Sequence, residues 1–516
     1  MLRVELIRPV PQLLTEHAER FGDKVAFCDD HRAVTYAGLA ERTRRLAGHL
    51  VAAGVARGDR VLIYLDNSAE TAESYLATTR ASLVGVCVNP DAAPAEIGYM
   101  FTDSGARVAI TDEAHLAHVE ALTADRDDVL VLLVGAGEAP SGVRSYERWS
   151  TTDPGSPPRD DLELDDVAWM LYTSGTTGRP KGVLLTQRSC LWVVAACWAP
   201  IVGLSENDQV LCPLPLFHSY ALDLCVLAVF AVGATERILP RFSTSRVLDL
   251  LRTGPYTVLP GVPTMFQYLV HGARAARFRS EALRLCVSAG AIMPAALNAE
   301  FEEMFGVPLL EGYGITETST MVTMNWPTGG RVLGSCGLPV PGVGVRLVDP
   351  VTGEDVGAGE EGELWVSGPN LMRGYHNRGD ASAEVLRHGW YRTGDLGRRD
   401  SNGFLTISGR TKELIIRGGE NIYPAEVEAV LLRGDGVQDA AVVARKHADL
   451  GEEPVAFVVA ERPGGLDVEA LLELCGRELS RFKVPADVIE VDAIPRTGSG
   501  KIMRFRLQER LSTLAG

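Results

Sequence analysis

Phosphate-binding chemistry is concentrated in one loop of this 516-residue chain, Leu171-Tyr-Thr-Ser-Gly-Thr-Thr-Gly-Arg-Pro-Lys-Gly182. Hydroxyls at Thr173, Ser174, Thr176 and Thr177 can donate to phosphate oxygens, and Lys181 adds a positive charge. Gly175, Gly178 and Gly182 allow sharp backbone turns and bare N–H groups, which together make a concavity that suits an anion. The spacing is not that of a Walker A loop, which requires G-x-x-x-x-G-K-[ST]. The loop follows an apolar run, Val167-Ala-Trp-Met-Leu-Tyr172, that reads as a buried strand.

Downstream, Leu309-Leu-Glu-Gly-Tyr-Gly-Ile-Thr-Glu-Thr318 collects a second coherent set. Two glycines permit close approach, a Tyr ring can lie on a purine, a Thr hydroxyl suits phosphate and a Glu suits Mg²⁺. Trp390-Tyr-Arg-Thr-Gly-Asp-Leu396 supplies Asp395 on a Gly-rich turn, where a carboxylate is usually structural but can also accept both hydroxyls of a ribose. Ile407-Ser-Gly-Arg-Thr-Lys-Glu-Leu-Ile415 carries Arg410 and Lys412. Pro495-Arg-Thr-Gly-Ser-Gly-Lys-Ile-Met-Arg504 puts Lys501 on a Gly/Ser loop, ordinarily the place of a solvated charge. Gly357-Ala-Gly-Glu-Glu-Gly362 fits G-x-G-x-x-G, yet its acids would repel a pyrophosphate and a strand follows it. It reads as a hairpin turn.

These stretches, in this order, resemble the adenylate-forming superfamily of acyl-CoA synthetases, standalone adenylation domains and beetle luciferase. The resemblance covers nearly the whole chain. It implies an ATP-dependent, AMP-forming ligase that uses Mg²⁺, adenylates a small carboxylic acid and passes it to a phosphopantetheine thiol of CoA or an acyl carrier protein. It assigns the loop residues Thr173, Ser174, Gly175, Thr176, Thr177, Gly178 and Lys181 to ATP. It assigns Glu311, Gly312, Tyr313, Gly314 and Thr316 to adenine and the α-phosphate, and Glu317 to Mg²⁺. Asp395 matches the ribose-binding turn, Arg410 an arginine that reaches ATP, and Lys412 a hinge. Gly418 and Gly419 match the strand beside the phosphopantetheine arm, and Lys501 the lysine that bridges the carboxylate and the α-phosphate.

The acid side is less determined. His218, in Pro213-Leu-Pro-Leu-Phe-His-Ser-Tyr220, reads from its residues as a satisfied structural His; the resemblance places it and Tyr220 at the acyl pocket. Ala289, Gly290 and Ala291 fall at a strand-to-helix junction that the resemblance puts along the same pocket. Asp223 is the main departure, a lone carboxylate in the apolar run 221–232 closed by Gly233. It reads either as a first-turn residue facing the helix dipole or as the counter-charge for a substrate ammonium. The second reading resembles β-amino-acid adenylating enzymes and leans towards an amine-bearing acid loaded on a carrier protein. The alternative is a CoA ligase for an uncharged aryl or aliphatic acid. A luciferase-like oxygenase, or a nucleotide-binding protein that has lost its chemistry, would share the nucleotide residues. The basic residues Arg481, Lys483, Arg496, Arg504 and Arg506 read as a docking face for an acidic carrier or CoA, or as a solvated face.

Positioning these residues requires an α/β scaffold. Residues 1–150 alternate helical and strand patterns, which predicts layered, largely parallel sheets. The expected architecture is a large N-terminal domain of layered sheets and helices, 1–409, and a small mobile α+β lid, 410–516. A hydrophobic content of 46% and a charged content of 23% predict a soluble globular chain, and a net charge of −17 disfavours a sequence-independent nucleic-acid binder. The nine scattered cysteines lack a C-x-x-C pair and read as buried hydrophobes in a reducing compartment. Neither a signal peptide nor a membrane span is expected, and a cytoplasmic enzyme fits.

Overall fold

The computed structural model describes residues 2–135, 139–173, 180–274, 278–418, 420–497 and 500–514. The fold is mixed α/β, with a large N-terminal domain and a smaller C-terminal one. Among the described residues the large domain holds sheets of eight, nine and five strands. In the first, Arg60–Tyr64, Val84–Cys87 and Val167–Thr173 run parallel, and most of their residues are buried. Continuous apolar runs of this kind are what a sheet covered by helices on both faces demands. Lys181–Thr186 then pairs antiparallel with Val167–Thr173, so the phosphate loop is the connection of a hairpin and Thr173 lies opposite Lys181.

The nine-stranded sheet runs Val258–Gly261, Leu285–Ser288 and Leu309–Tyr313 side by side in parallel. Their carboxyl ends therefore deliver Gly261, the 289–291 segment and Tyr313 to one edge, the usual location of a ligand in parallel sheets. The five-stranded sheet pairs Gly344–Val348 with Glu361–Ser367 as a hairpin, and Gly357–Gly362 closes it as expected. In the small domain Gly451–Ala460 is central, flanked by Val437–His447, Ile415–Arg417 and Asp487–Glu490.

Two buried helical segments are not α-helical. Val194–Trp198 and Leu222–Ala228 are π-helical, and every residue in both is buried. The second lies within a longer helix that starts after His218 and stops at Gly233 in the left-handed conformation (φ 80°). The cysteines behave as read: eight of nine are buried and none forms a disulfide. Cys212, Cys225 and Glu236 place their ligand atoms within 4.8 Å of one another in the core. Burial pushes the Glu236 carboxyl and the Cys225 thiol well up, so both stay neutral there. No helix among the described residues is long and apolar enough to cross a membrane.

Candidate functional site

A cavity of about 480 Å³ lies between the two domains. Its walls include Gly290, Ala291, Glu311–Ile315, Asp395, Arg410, Lys412 and Lys501, so residues from distant stretches meet at one space. Gly314 turns the chain out of strand Leu309–Tyr313; a Cβ on it would stand 1.3 Å from the Thr320 carbonyl oxygen. No side chain fits there.

Asp395 and Arg410 are register partners on adjacent antiparallel strands, Trp390–Arg399 and Leu405–Arg410. Arg410 Nε meets Asp395 Oδ1 at 2.8 Å, and the Tyr313 hydroxyl donates to Oδ2 at 2.5 Å. The expected Gly-rich turn at Asp395 is instead a bulge within a ten-residue strand, where register slips opposite Glu363–Trp365 and Gly394 takes φ 72°. Glu363 Oε1 accepts the Gly394 N–H at 3.2 Å and fixes this bulge, a role its sequence neighbourhood did not signal. The Asp395 charge raises the Arg410 pKa, and burial pushes the Tyr313 phenol up.

Lys501 enters the cavity from the small domain. Its N–H donates to Thr497 Oγ1 at 3.1 Å, and Arg496 braces the loop through the Gly500 carbonyl at 2.8 Å and Asp439 at 2.7 Å. Gly500 lies against the large domain, where an added Cβ would be 3.4 Å from Val262 Cγ2. Burial lowers the Lys501 pKa, as does Arg410, while Asp395 and Glu317 oppose them. His218 is half-buried and not among the residues lining the cavity; burial and the Lys501 charge push it down to about 3. It is neutral throughout the physiological range, and its Nδ1 accepts the Tyr220 N–H at 3.3 Å.

Next to the cavity, Ser219 Oγ and Thr316 Oγ1 are 3.3 Å apart. Glu317 Oε1 accepts the Tyr375 hydroxyl at 3.0 Å, and Lys181 Nζ sits 4.9 Å from the centre of the Tyr375 ring. Tyr375 thus links the carboxylate expected to hold Mg²⁺ to the end of the phosphate loop, through the short strand Gly374–Tyr375 that pairs with Lys181–Thr186. Ser174, Gly175, Thr176, Thr177, Gly178 and Gly419 lie outside the described residues. Lys412 is exposed in the turn between Leu405–Arg410 and Ile415–Arg417, and Gly418 (φ 59°) is exposed and off the cavity walls.

Three expectations change. Asp223 is neither a first-turn residue nor on the cavity wall: the helix begins at Ser219, and Asp223 is 2% exposed with its Oδ1 accepting the Trp198 indole N–H at 2.5 Å. Burial pushes its carboxyl well up, so it does not present a standing counter-charge. Glu428, on the helix Pro424–Leu431, is buried and salt-bridged to Arg504, a basic residue read as part of an open docking or solvated face, which also reaches Glu413 at 2.9 Å. The basic cluster is largely paired, with Lys483 on Glu426, Arg496 on Asp439 and Arg504 on Glu428. Tyr220 and Ala289 are buried behind the cavity, at 3% and 2% exposure.

Glu311 is 4% exposed, accepts the Met293 N–H at 3.3 Å through Oε1, and has no partner for Oε2 among the described residues. Burial pushes it up to about 8. Between its ordinary value and about 8 the native state binds the extra proton, so this group makes stability fall as pH rises through that window. Glu311→Gln is expected to flatten that fall, gaining stability over wild type at pH 8 but not at pH 4.5, as read by urea denaturation. An equal difference at both pH values would contradict it.

The fold agrees with comparisons to known proteins. A family model described as AMP-binding enzyme matches residues 14–376, and one described as AMP-binding enzyme C-terminal domain matches residues 426–501. Naringenin synthase of Pestalotiopsis fici is 39% identical over 519 residues, covering 96% of this chain and 19% of that protein. The chain therefore spans less than a fifth of that relative's length. Feruloyl-CoA synthase of an Amycolatopsis species is 37% identical over 481 residues, covering 93% of this chain and 94% of the relative. The crystal structure of ATP-bound MatB from Rhodopseudomonas palustris matches with a TM-score of 0.89 at 32% identity, over 98% of this chain and 100% of that one.

Proposed function

Because the chain belongs to the AMP-binding enzyme family, we propose that it is an ATP-dependent, AMP-forming ligase that joins an uncharged aryl carboxylic acid to the thiol of coenzyme A. The observation that carries this reading is the convergence of Tyr313, Asp395, Arg410 and Lys501, from both domains, on one cavity. We take the large domain as 1–409 and the lid as 410–516, with Lys412 as the hinge.

Carboxylates are poor electrophiles at neutral pH, and adenylation supplies the missing leaving group. A carboxylate oxygen of the acid attacks the α-phosphorus of ATP, the bond to the β-phosphate breaks, and pyrophosphate departs. Tyr313 stacks on adenine, Asp395 accepts the ribose hydroxyls and Thr316 donates to the α-phosphate. Lys181 and its loop hold the departing phosphates. Lys501 lies between acid and α-phosphate, where negative charge gathers, and a preorganised ammonium in a dry cleft is effective there. Neutral His218 offers a polar edge without a competing positive charge.

Glu317 fits Mg²⁺, a hard cation that takes one or two protein carboxylates alongside substrate phosphates; its oxygen is oriented by Tyr375. Bound there, Mg²⁺ would neutralise phosphate charge. In the second half-reaction the lid turns about Lys412 and removes Lys501, bringing Gly418, at the end of strand Ile415–Arg417, to the cleft. The thiol attacks the acyl carbon, and AMP leaves.

The expectation of an amine-bearing acid on a carrier protein gives way to its alternative. It rested on Asp223, which is buried against Trp198 rather than presented to the cavity. The similarity to a feruloyl-CoA synthase supports an aryl acid and CoA. ATP–pyrophosphate exchange across aryl, fatty, α-amino and β-amino acids tests this, followed by thioester formation with CoA and with a carrier protein. Aryl acids and CoA are expected to lead; exchange driven by β-amino acids, or acylation of the carrier alone, would reject the reading.

A further inference from the structure

The two π-helical segments are tied together at one point. Trp198 ends the first, Asp223 lies at the start of the second, and the indole N–H donates to Asp223 Oδ1 at 2.5 Å. Both residues are essentially buried, at 0% and 2% exposure. Single-turn π segments in helices commonly mark functional positions. The bond orients a ring that has its own contact: Trp198 stacks on Tyr220, with centroids 6.1 Å apart and an interplanar angle of 29°. Tyr220 in turn donates its hydroxyl to the Val287 carbonyl at 3.0 Å, on the strand that leads into Ala289, Gly290 and Ala291. Its neighbour Ser219 meets Thr316. An unbroken series of contacts thus runs from Asp223 to the edge of the nucleotide cavity.

From this geometry, and resting on the ligase reading above, we infer that Asp223 is a positioning residue that braces the acid side of the cavity from behind, by holding the Trp198 indole against the buried Tyr220 whose hydroxyl anchors the strand leading into Gly290 and Ala291. The environment suits that task. The influences on its carboxyl are burial, which raises its pKa, and the Trp198 indole and Cys190 thiol, which oppose it. A protonated carboxyl keeps one oxygen as an acceptor for the indole without placing a charge in the core. The layer so built behind Gly290 and Ala291 presents no standing counter-charge to an ammonium, which favours an uncharged acid.

Two substitutions separate this role from others. Asp223→Asn keeps a neutral acceptor of the same shape. Asp223→Leu removes the acceptor and strands a buried N–H. Pyrophosphate exchange would be measured against acid and against ATP for both, together with tryptophan emission, and with Trp198→Phe as an independent route to the same loosening. Asp223→Asn is expected to stay within about threefold of wild type, because a neutral–neutral bond replaces another of its kind. Asp223→Leu and Trp198→Phe are expected to raise KM for the acid about tenfold with KM for ATP unchanged, and Asp223→Leu to shift the emission. A loss in Asp223→Asn as large as in Asp223→Leu would mean that the ionised carboxylate meets the substrate, and would overturn the inference. So would wild-type acid KM in both variants, or a fall in kcat and melting temperature with acid KM unmoved. If the wild type itself exchanges with no acid, the ligase reading fails instead.

Discussion

Lys501→Ala is expected to slow ATP–pyrophosphate exchange by about 10²–10³-fold, the usual loss when one preorganised donor to a developing charge is removed. Thioester formation from supplied acyl-adenylate should survive. The asymmetry follows from the placement of the lysine. Lys501 is held in the cleft by the Thr497 and Arg496 contacts of its own loop, and its pKa responds to Arg410, Asp395 and Glu317 together. It therefore belongs to the nucleotide end of the cavity, where charge grows during adenylation. The second half-reaction in our proposal has the lid turned and the lysine withdrawn, so its loss has little to act on. Single-turnover assays of each half-reaction read this directly, and equal losses in both would refute it. Lys501→Arg should recover little, because a wide planar guanidinium does not replace a compact ammonium in a fitted space already occupied by Arg410.

What could be read from the sequence was what is local. The phosphate loop, the Leu309–Thr318 stretch and the Lys501 loop each carry their chemistry within about ten residues, so type and spacing were enough to select them. The Leu309–Thr318 stretch then needed only a parallel strand that ends at the cavity, and the Lys501 loop a second domain set against it. The residues that orient them were not legible, because their partners are remote. Glu363 fixes the Gly394 bulge from a neighbouring strand, Tyr375 reaches Glu317 across 58 residues, and Glu413 meets Arg504 across 91. No periodicity reports such pairs. Asp223 shows the same limit. A helical period assigns a face within one helix, whereas the partner of Asp223 is Trp198 on another helix, 25 residues away, which no such period reports. Asp395 was found for its type, but its turn was a bulge, since a lone Gly within a strand and a Gly in a loop look alike in one dimension.

The other large effect is expected at Asp395. Its side chain is 4% exposed and satisfies two donors at once, Arg410 at 2.8 Å and the Tyr313 hydroxyl at 2.5 Å, while also being the residue we assign to the ribose. Asp395→Ala would leave the half-buried Arg410 guanidinium, 35% exposed, without its carboxylate, and losing that charge-assisted bond costs about 1.5–3 kcal/mol. Arg410 would then add its uncompensated charge to that of Lys501, lowering the lysine pKa further. Both consequences fall on the nucleotide, so kcat/KM for ATP should drop about 10–10²-fold, with KM for the acid unchanged at saturating ATP. Asp395→Asn separates charge from shape: it retains an acceptor for one donor, should fold, and should lose about tenfold through the missing charge-assisted bond. Exchange kinetics over a range of ATP concentrations, with melting temperatures of both variants, would decide the matter. Unchanged ATP kinetics in a stable Asn variant would remove Asp395 from the nucleotide site and leave it only the task of pinning Arg410.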